Sequence, residues 1–333
     1  KMIKNPEFWY KKDILSKFLS YLVSPISLIW ILVSLVKEFL SKPYKAKLKV
    51  ICIGNLTIGG TGKTPFAIST FLWLTELGYN PVFLTRGYGG EEDGPTEVKG
   101  FHTHLNVGDE ALLLSKVGIT IVAKNRAKGA KFIENHKNNF DIIIMDDGLQ
   151  NYQLCKDLNV LLVDKESLFG NGFCIPAGPL RETINHGIKK VNSIILTGNN
   201  DNITEVNKNF INNVPTFNSK IVLENSTQNN KQKYLAFCGL GNPSKFYRTL
   251  EKNKFHIAKT KSFPDHHKYK SIDIENLKKE AQNQNLKLIT TEKDYVKITD
   301  NDKKSIHVLS IKLDLVKNDK DKFKSLLRDN ING

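Results

Sequence analysis

From Ile14 to Leu40 the chain reads ILSKFLSYLVSPISLIWILVSLVKEFL, apolar with little polar period. A run of this kind predicts one long helix rather than a strand. Its most apolar part, Tyr21–Val36, is 16 residues long and holds Pro25, whereas a spanning helix needs about 20. Beyond it, short β-branched runs alternate with longer segments of helical spacing. KLKVICIGN predicts a buried strand entering a glycine turn, and TPFAISTFLWLTEL, Thr64–Leu77, a helix that stops at Gly78. NPVFLTRGYGG, ITIVAKN, FDIIIMDDGLQ, LNVLLVD and VNSIILTG predict further strands, with helices at GDEALLLSKVG and NRAKGAKFIENHKNN. Strands alternating with helices predict a mostly parallel sheet covered on both faces.

The stretch from about Asn199 to Lys233 is Asn-rich and poor in apolar residues, as a linker is. KYLAFCGLGNPSKFYRTLEKN then restarts the strand–turn–helix pattern, and LKLITTEKDYVKI and SIHVLSIKLDL follow as strands. The expected organisation is an N-terminal helical segment (1–48), an α/β core (49–200), a linker (201–232) and a smaller α/β domain (233–333), with no internal repeat.

Composition narrows the partners. At 40% hydrophobic and 25% charged, the chain can bury cores and is not a disordered type. A net charge of +15 calls for an anionic partner: nucleic acid, an anionic membrane surface or a phosphorylated substrate. No aromatic-interleaved basic patch and no nucleic-acid reader motif is present, so nucleic acid is not expected. Lys11, Lys12 and Lys17 precede the apolar run, and Lys37, Lys42, Lys45 and Lys47 follow it. Basic flanks on both sides suit a helix lying in the headgroup zone of an anionic leaflet. No small-residue cleavage site is evident before the next strand, so a cleavable signal is not expected. Cys52, Cys155, Cys174 and Cys238 are far apart, without C-x-x-C spacing, and read as reduced thiols.

The strongest chemical signal is GNLTIGGTGKTPF, Gly54–Phe66. A phosphate-binding loop reads G-x-x-x-x-G-K-[ST] between a strand and a helix. Here Gly62, Lys63 and Thr64 fit, and Thr57 stands where the leading glycine is usual. Backbone N–H groups over Thr57, Ile58, Gly59, Gly60, Thr61, Gly62, Lys63 and Thr64 would cradle phosphates. Lys63 would reach the β- and γ-phosphates, and the Thr64 hydroxyl would bind Mg²⁺. Partitioning-type ATPases place an extra lysine before such paired glycines; Ile58 occupies that place.

Asp146 and Asp147 end an apolar strand, where P-loop enzymes keep a metal-side carboxylate. Asp109 and Glu110 open a helix, either as dipole-favoured acids or as a base for a substrate hydroxyl. FPDHHKY offers Asp265, His266 and His267 for proton relay. Arg181 and Glu182 follow a Pro/Gly turn, Arg86 and Tyr88 lie in LTRGYGG, and Arg126 opens NRAKG; arginines near such a loop can clamp phosphate. TTEKD, Thr290–Asp294, is only faintly similar to the guanine-reading N-K-x-D, because Lys293 and Asp294 are adjacent.

The ordered series GNLTIGGTGKTP, LTRGYGG, GDEALLL, DDGLQ, PAGPLRE, FPDHH and TTEKD resembles the tetraacyldisaccharide 4'-kinase family over nearly the whole chain. The resemblance implies a P-loop NTPase-like α/β fold, ATP and Mg²⁺. It implies transfer of the γ-phosphate to the 4'-hydroxyl of a tetraacylated disaccharide 1-phosphate, the lipid A precursor. It also implies Asp109 as base with His266 as its partner. Lys63, Thr64, Asp146 and Asp147 would serve the nucleotide and metal; Arg86, Tyr88, Glu110, Arg126, Arg181 and Glu182 would contact substrate or phosphate. The expected setting is a monomer at the cytoplasmic face of the bacterial inner membrane. The competing reading is a membrane-associated P-loop ATPase switch of the partitioning or positioning type.

Overall fold

The computed structural model describes residues 6–198, 214–224 and 232–333. Its strands are β1 (Lys49–Gly54), β2 (Pro81–Thr85), β3 (Thr96–Glu97), β4 (Thr120–Val122), β5 (Ile142–Asp146), β6 (Leu158–Asp164), β7 (Ser193–Thr197), β8 (Thr216–Leu223), β9 (Lys233–Cys238), β10 (His256–Ser262), β11 (Lys287–Thr291), β12 (Ile306–Leu309) and β13 (Ile311–Leu315). Among the described residues they form a nine-stranded sheet, β13-β8-β7-β6-β1-β5-β2-β4-β3, and a four-stranded sheet, β10-β9-β11-β12. From β8 to β4 all neighbours are parallel. Only the edges, β13 and β3, are antiparallel.

Side chains of the central strands pass alternately to two cores. Val50, Cys52, Ile143 and Met145 pack on one face of the sheet, and Ile51, Ile53, Ile142 and Ile144 on the other. Burial on both faces is why these strands read as continuous apolar runs. The long apolar segment forms helix α1 (Ile14–Phe39), and helix α2 (Lys63–Glu76) covers the second core with Phe66 and Trp73.

Two expected boundaries change. The proposed linker 201–232 contains β8, an eight-residue strand on which Phe217 and Ser219 are buried; the rest of it, 201–213 and 225–231, lies outside the described residues. Its apolar residues do not mark one covered face: Phe217 is buried, Ile221 and Leu223 are half-buried and Val222 is exposed. The segment SIHVLSIKLDL, read as one strand, is two. Ser310 alone separates β12, in the small sheet, from β13, in the large one. Residues 311–332 therefore return to the larger unit, where the helix Lys317–Asn332 inserts Phe323. That ring meets Phe66, Trp73 and Phe217 edge-on at centroid separations of 5.4 to 5.9 Å. Phe323→Ala is expected to cost about 3–5 kcal/mol in urea unfolding. A cost under about 1 kcal/mol, the range of surface substitutions, would remove this helix from the core.

α1 is docked by its polar side. Its buried residues are Ser16, Ser20 and Ser27. Ser27 Oγ donates to Cys174 O (2.7 Å) and accepts from Ala177 N–H (3.2 Å), while Asn171 Nδ2 donates to Ser20 Oγ (2.8 Å). Trp30 Nε1 donates to Arg181 O at 2.9 Å, and Glu38 takes His186 Nε2 at 2.7 Å and Lys190 Nζ at 3.0 Å. The outward face carries Leu15, Phe18, Leu22, Ile26, Ile29 and Val33, all exposed. This reverses the arrangement of a water-facing amphipathic helix. By length and composition α1 could also cross a membrane.

Candidate active site

The first half of the glycine-rich loop is held by a neighbouring segment. Ile58 N–H donates to Pro179 O (2.8 Å), Arg181 N–H donates to Leu56 O (2.7 Å), and Thr57 pairs antiparallel with Leu180. Thr57 is buried in this pairing, so the place of the usual leading glycine is filled by extended, hydrogen-bonded backbone. The second half is open: Cβ atoms at Gly59 or Gly60 would meet nothing within 4 Å. Gly62 enters α2 with φ +89°, and a Cβ there would lie 2.5 Å from Leu313 Cδ1. No side chain caps α2, which leaves its first N–H groups for an anion. Thr61 Oγ1 is buried without a partner. The cradle suits a polyphosphate.

β5 lies beside β1 with Ile53 opposite Asp146, which places the aspartate pair next to the loop. Thr64 Oγ1 donates to Asp146 Oδ2 at 2.9 Å, and Asp146 Oδ1 is buried with no partner. Burial pushes the Asp146 carboxyl up, and Glu110 adds to that. At Asp147 the chain turns left-handed, φ +55°. Its carboxylate takes Arg181 Nη1 at 2.7 Å and lies 3.7 Å from Lys63 Nζ. Burial opposes its charge, but Lys63 and Arg181 outweigh it and hold Asp147 below the usual carboxylate range. Lys63 also donates to Asn55 Oδ1 at 3.3 Å. Among the described residues no cluster of three or more His, Cys, Asp or Glu could hold a metal alone. The orphaned Asp146 oxygen, Asp147 and the Thr64 hydroxyl are hard oxygen donors that fit Mg²⁺, an ion that completes its shell with water and phosphate.

Asp109, whose neighbour Glu110 acts on the Asp146 carboxyl, starts the helix Asp109–Ser115. Gly108, φ +86°, precedes it, and a Cβ there would lie 2.4 Å from Tyr88 O. That close approach is what packs the LTRGYGG turn against Asp109. Oδ1 of Asp109 accepts Glu110 N–H at 2.9 Å, and Oδ2 lies 3.1 Å from His266 Nδ1. Burial opposes the charge, but the His266 hydrogen bond and the Lys293 ammonium prevail, so the carboxyl is lowered to about 2. Of the two adjacent histidines, His266 meets Asp109; His267 bonds Asp273 at 3.1 Å and stacks on Phe263. The exposed Tyr88 ring lies 5.0 Å from the His266 ring.

The remaining expected contacts divide. Arg126 is almost wholly buried, with Nη1 on Ala123 O (2.6 Å) and Nε unpaired. Burial, then its neighbour Arg86, lowers Arg126 to about 10. Arg86 is exposed at the end of β2. Glu182 is buried and committed, accepting from Gln150 Nε2 (2.8 Å) and Lys190 Nζ (3.0 Å). It braces Arg181 through Gln150 and joins the group that docks α1. Glu110 pairs with Lys293 at 3.2 Å. Asn55, Gln150 and Lys293 belong to the site without having been expected in it, although each lies in or beside a quoted motif.

A strand–loop–helix cradle for polyphosphate with an aspartate pair at the end of the neighbouring strand is the arrangement of P-loop phosphotransferases. The fold and site define an ATP-dependent kinase of the P-loop class. The family model for tetraacyldisaccharide-1-P 4'-kinases matches residues 19–332. The tetraacyldisaccharide 4'-kinase of Rickettsia rickettsii (strain Sheila Smith) is 39% identical over 296 residues, 89% of each chain. That of Parvibaculum lavamentivorans is 39% identical over 302 residues, 89% of this chain and 87% of its own. The crystal structure of Aquifex aeolicus LpxK in complex with ATP superposes with a TM-score of 0.77 at 25% identity, covering 94% of this chain and 99% of that one. The chain belongs to the tetraacyldisaccharide 4'-kinase family.

Proposed function

We propose that the protein moves the γ-phosphate of ATP to the 4'-hydroxyl of a tetraacyldisaccharide 1-phosphate in lipid A synthesis, with Asp109 as base and His266 as its partner. The observation that carries the roles is the 3.1 Å Asp109–His266 contact, made across the two sheets' units next to Glu110, whose charge acts on Asp146. The transition state of phosphoryl transfer is loose and its catalysis is mostly positioning and charge. A weakly basic carboxylate can then take the hydroxyl proton as the new P–O bond forms. Asp109 is oriented for that by Glu110 N–H and the His266 imidazole. Lys63 and the α2 N-terminus bind the phosphates. Thr64, Asp146 and Asp147 would hold Mg²⁺, which would supply positive charge against the phosphates. Arg181 and Arg86 supply phosphate contacts, Arg126 stays buried behind them on Ala123 O, Tyr88 offers its ring to the sugar, and Glu110 and Glu182 act through Lys293 and Gln150.

The acceptor stays in its bilayer, since each exposed CH₂ costs about 0.8 kcal/mol. The enzyme therefore works as a monomer on the cytoplasmic face of the inner membrane, with the apolar face of α1 in the leaflet and the flanking lysines on anionic headgroups. The test is transfer of labelled γ-phosphate from ATP to a disaccharide lipid in anionic vesicles. Labelled lipid is expected; nucleotide-driven dimerisation without labelled lipid would instead indicate a switch. The double variant Leu22→Glu/Ile29→Glu is expected to lose roughly tenfold or more in vesicle recovery with ATP binding intact. Undiminished recovery would remove the membrane role of α1.

A further inference from the structure

We infer that Lys293 is a positioning residue of the transfer site: its ammonium fixes the His266 tautomer and ties the Asp109–His266 pair together across the two units. The inference rests on the Asp109–His266 reading above. Lys293 comes from the TTEKD segment, which neither the loop nor the dyad uses. Its Nζ lies 3.2 Å from Glu110 Oε1, 3.4 Å from His266 Nε2 and 4.0 Å from Asp109 Oδ2. An ammonium donates and never accepts. Nε2 facing it is therefore the acceptor nitrogen, and the ring proton sits on Nδ1, where it donates to Asp109 Oδ2. The Asp109 carboxylate, which only accepts, selects the same tautomer from the other side; without Lys293 that selection rests on Asp109 alone, and the Nε2–H form gains population.

The mounting of Lys293 supports this role. Asp294, fully buried, accepts from Gly239 N–H (3.0 Å), Tyr269 OH (3.1 Å) and Thr291 Oγ1 (2.7 Å), and pairs with Lys297 Nζ at 2.8 Å. Gly239 O in turn accepts His266 N–H at 3.3 Å. Lys293 and His266 thus hang from one buried carboxylate, and their relative position is fixed within the smaller unit. Glu110 and Asp109 are the groups they reach in the larger one. Asp265 and Lys297 complete the charges around them.

The test compares K293M, K293R and D109N with the wild-type chain by steady-state transfer kinetics and by ¹⁵N imidazole NMR of the full-length protein. For K293M, kcat is expected to fall about 10²-fold, the cost of misplacing a reacting group by about 1 Å. KM for ATP should stay within about twofold, since the loop is untouched. The His266 signature should move from the Nδ1–H tautomer toward the Nε2–H form. K293R restores a donor and is expected to recover the tautomer and part of kcat. A K293M protein with wild-type kcat, or one with reduced kcat and an unchanged His266 tautomer, overturns the inference. If D109N is inactive in either case, the dyad reading stands alone; if D109N turns over normally, the dyad reading itself falls and takes the inference with it.

Discussion

Asp109→Asn is expected to lower kcat about 10³-fold, within the range for a lost general base, while ATP affinity stays near wild type. The substitution keeps the size of the side chain and an oxygen for Glu110 N–H. It removes the charge that His266 and Lys293 surround, and an amide cannot accept the hydroxyl proton. ATP affinity should persist because the phosphate cradle belongs to residues 57–64, and Asp109 makes no hydrogen bond to them. Single-turnover transfer of labelled phosphate, with ATP binding measured calorimetrically, separates the two effects. Turnover within about threefold of wild type would mean that another group takes the proton. A stability effect accompanies this. In the fold Asp109 is lowered to about 2 from an ordinary 3.8. A depressed carboxyl stabilises the protein above its unfolded pKa and loses that contribution as pH falls through the folded value. The Asn variant should lack this part of the acid-induced destabilisation between about pH 4 and 2.

The fold was legible wherever one residue type had one physical job. Continuous β-branched runs marked β1, β5, β6 and β7 because both faces of the sheet are covered. The strand–loop–helix order around Lys63 is legible too, as β1, the glycine-rich loop and α2. What stayed hidden depended on long-range pairing. Nothing in SIHVLSIKLDL shows that Ser310 is where the chain leaves one sheet for another, because both strands satisfy the same apolar pattern. β8 does not announce itself because its apolar residues, Phe217 and Ile221–Leu223, are split by Asn218, Ser219 and Lys220 and sit in an Asn-rich stretch. The Asp109–His266 contact joins residues 157 positions apart. Spacing carries no information at that range, and only the family resemblance pointed to it. Glu182 was grouped with Arg181 as a substrate contact since the two are neighbours in PAGPLRE. In the fold Arg181 turns to Asp147, whereas Glu182 turns to Lys190 and the base of α1. Lys293 stays hidden because TTEKD has only a faint likeness to a guanine-reading motif, and that likeness says nothing about proton relay.

Lys63→Met is expected to reduce transfer about 10³-fold, the upper range for losing one transition-state cation or donor. Free Lys63 sits between Asn55 Oδ1 and the Asp147 carboxylate. A triphosphate in the cradle offers it a denser charge at the same place, so the ammonium can shift onto phosphate with little reorganisation. Methionine matches the length of the stem, which keeps in place the start of α2, where Leu313 leaves no room for a Cβ at Gly62. The loss is therefore one of charge more than of shape. The loss also strands Asp146 and Asp147, since Lys63 is among the groups that favour the charged forms of both. Nucleotide binding measured at several Mg²⁺ concentrations, alongside transfer kinetics, reads both consequences. A drop of less than about tenfold in kcat would mean that another cation stands in. The geometry argues against that. Arg181 is engaged with Asp147 and Gln150, and Arg126 is anchored on Ala123 O in an almost wholly buried position. Neither guanidinium can reach the place Lys63 leaves without abandoning the contacts that order the opposite wall of the site.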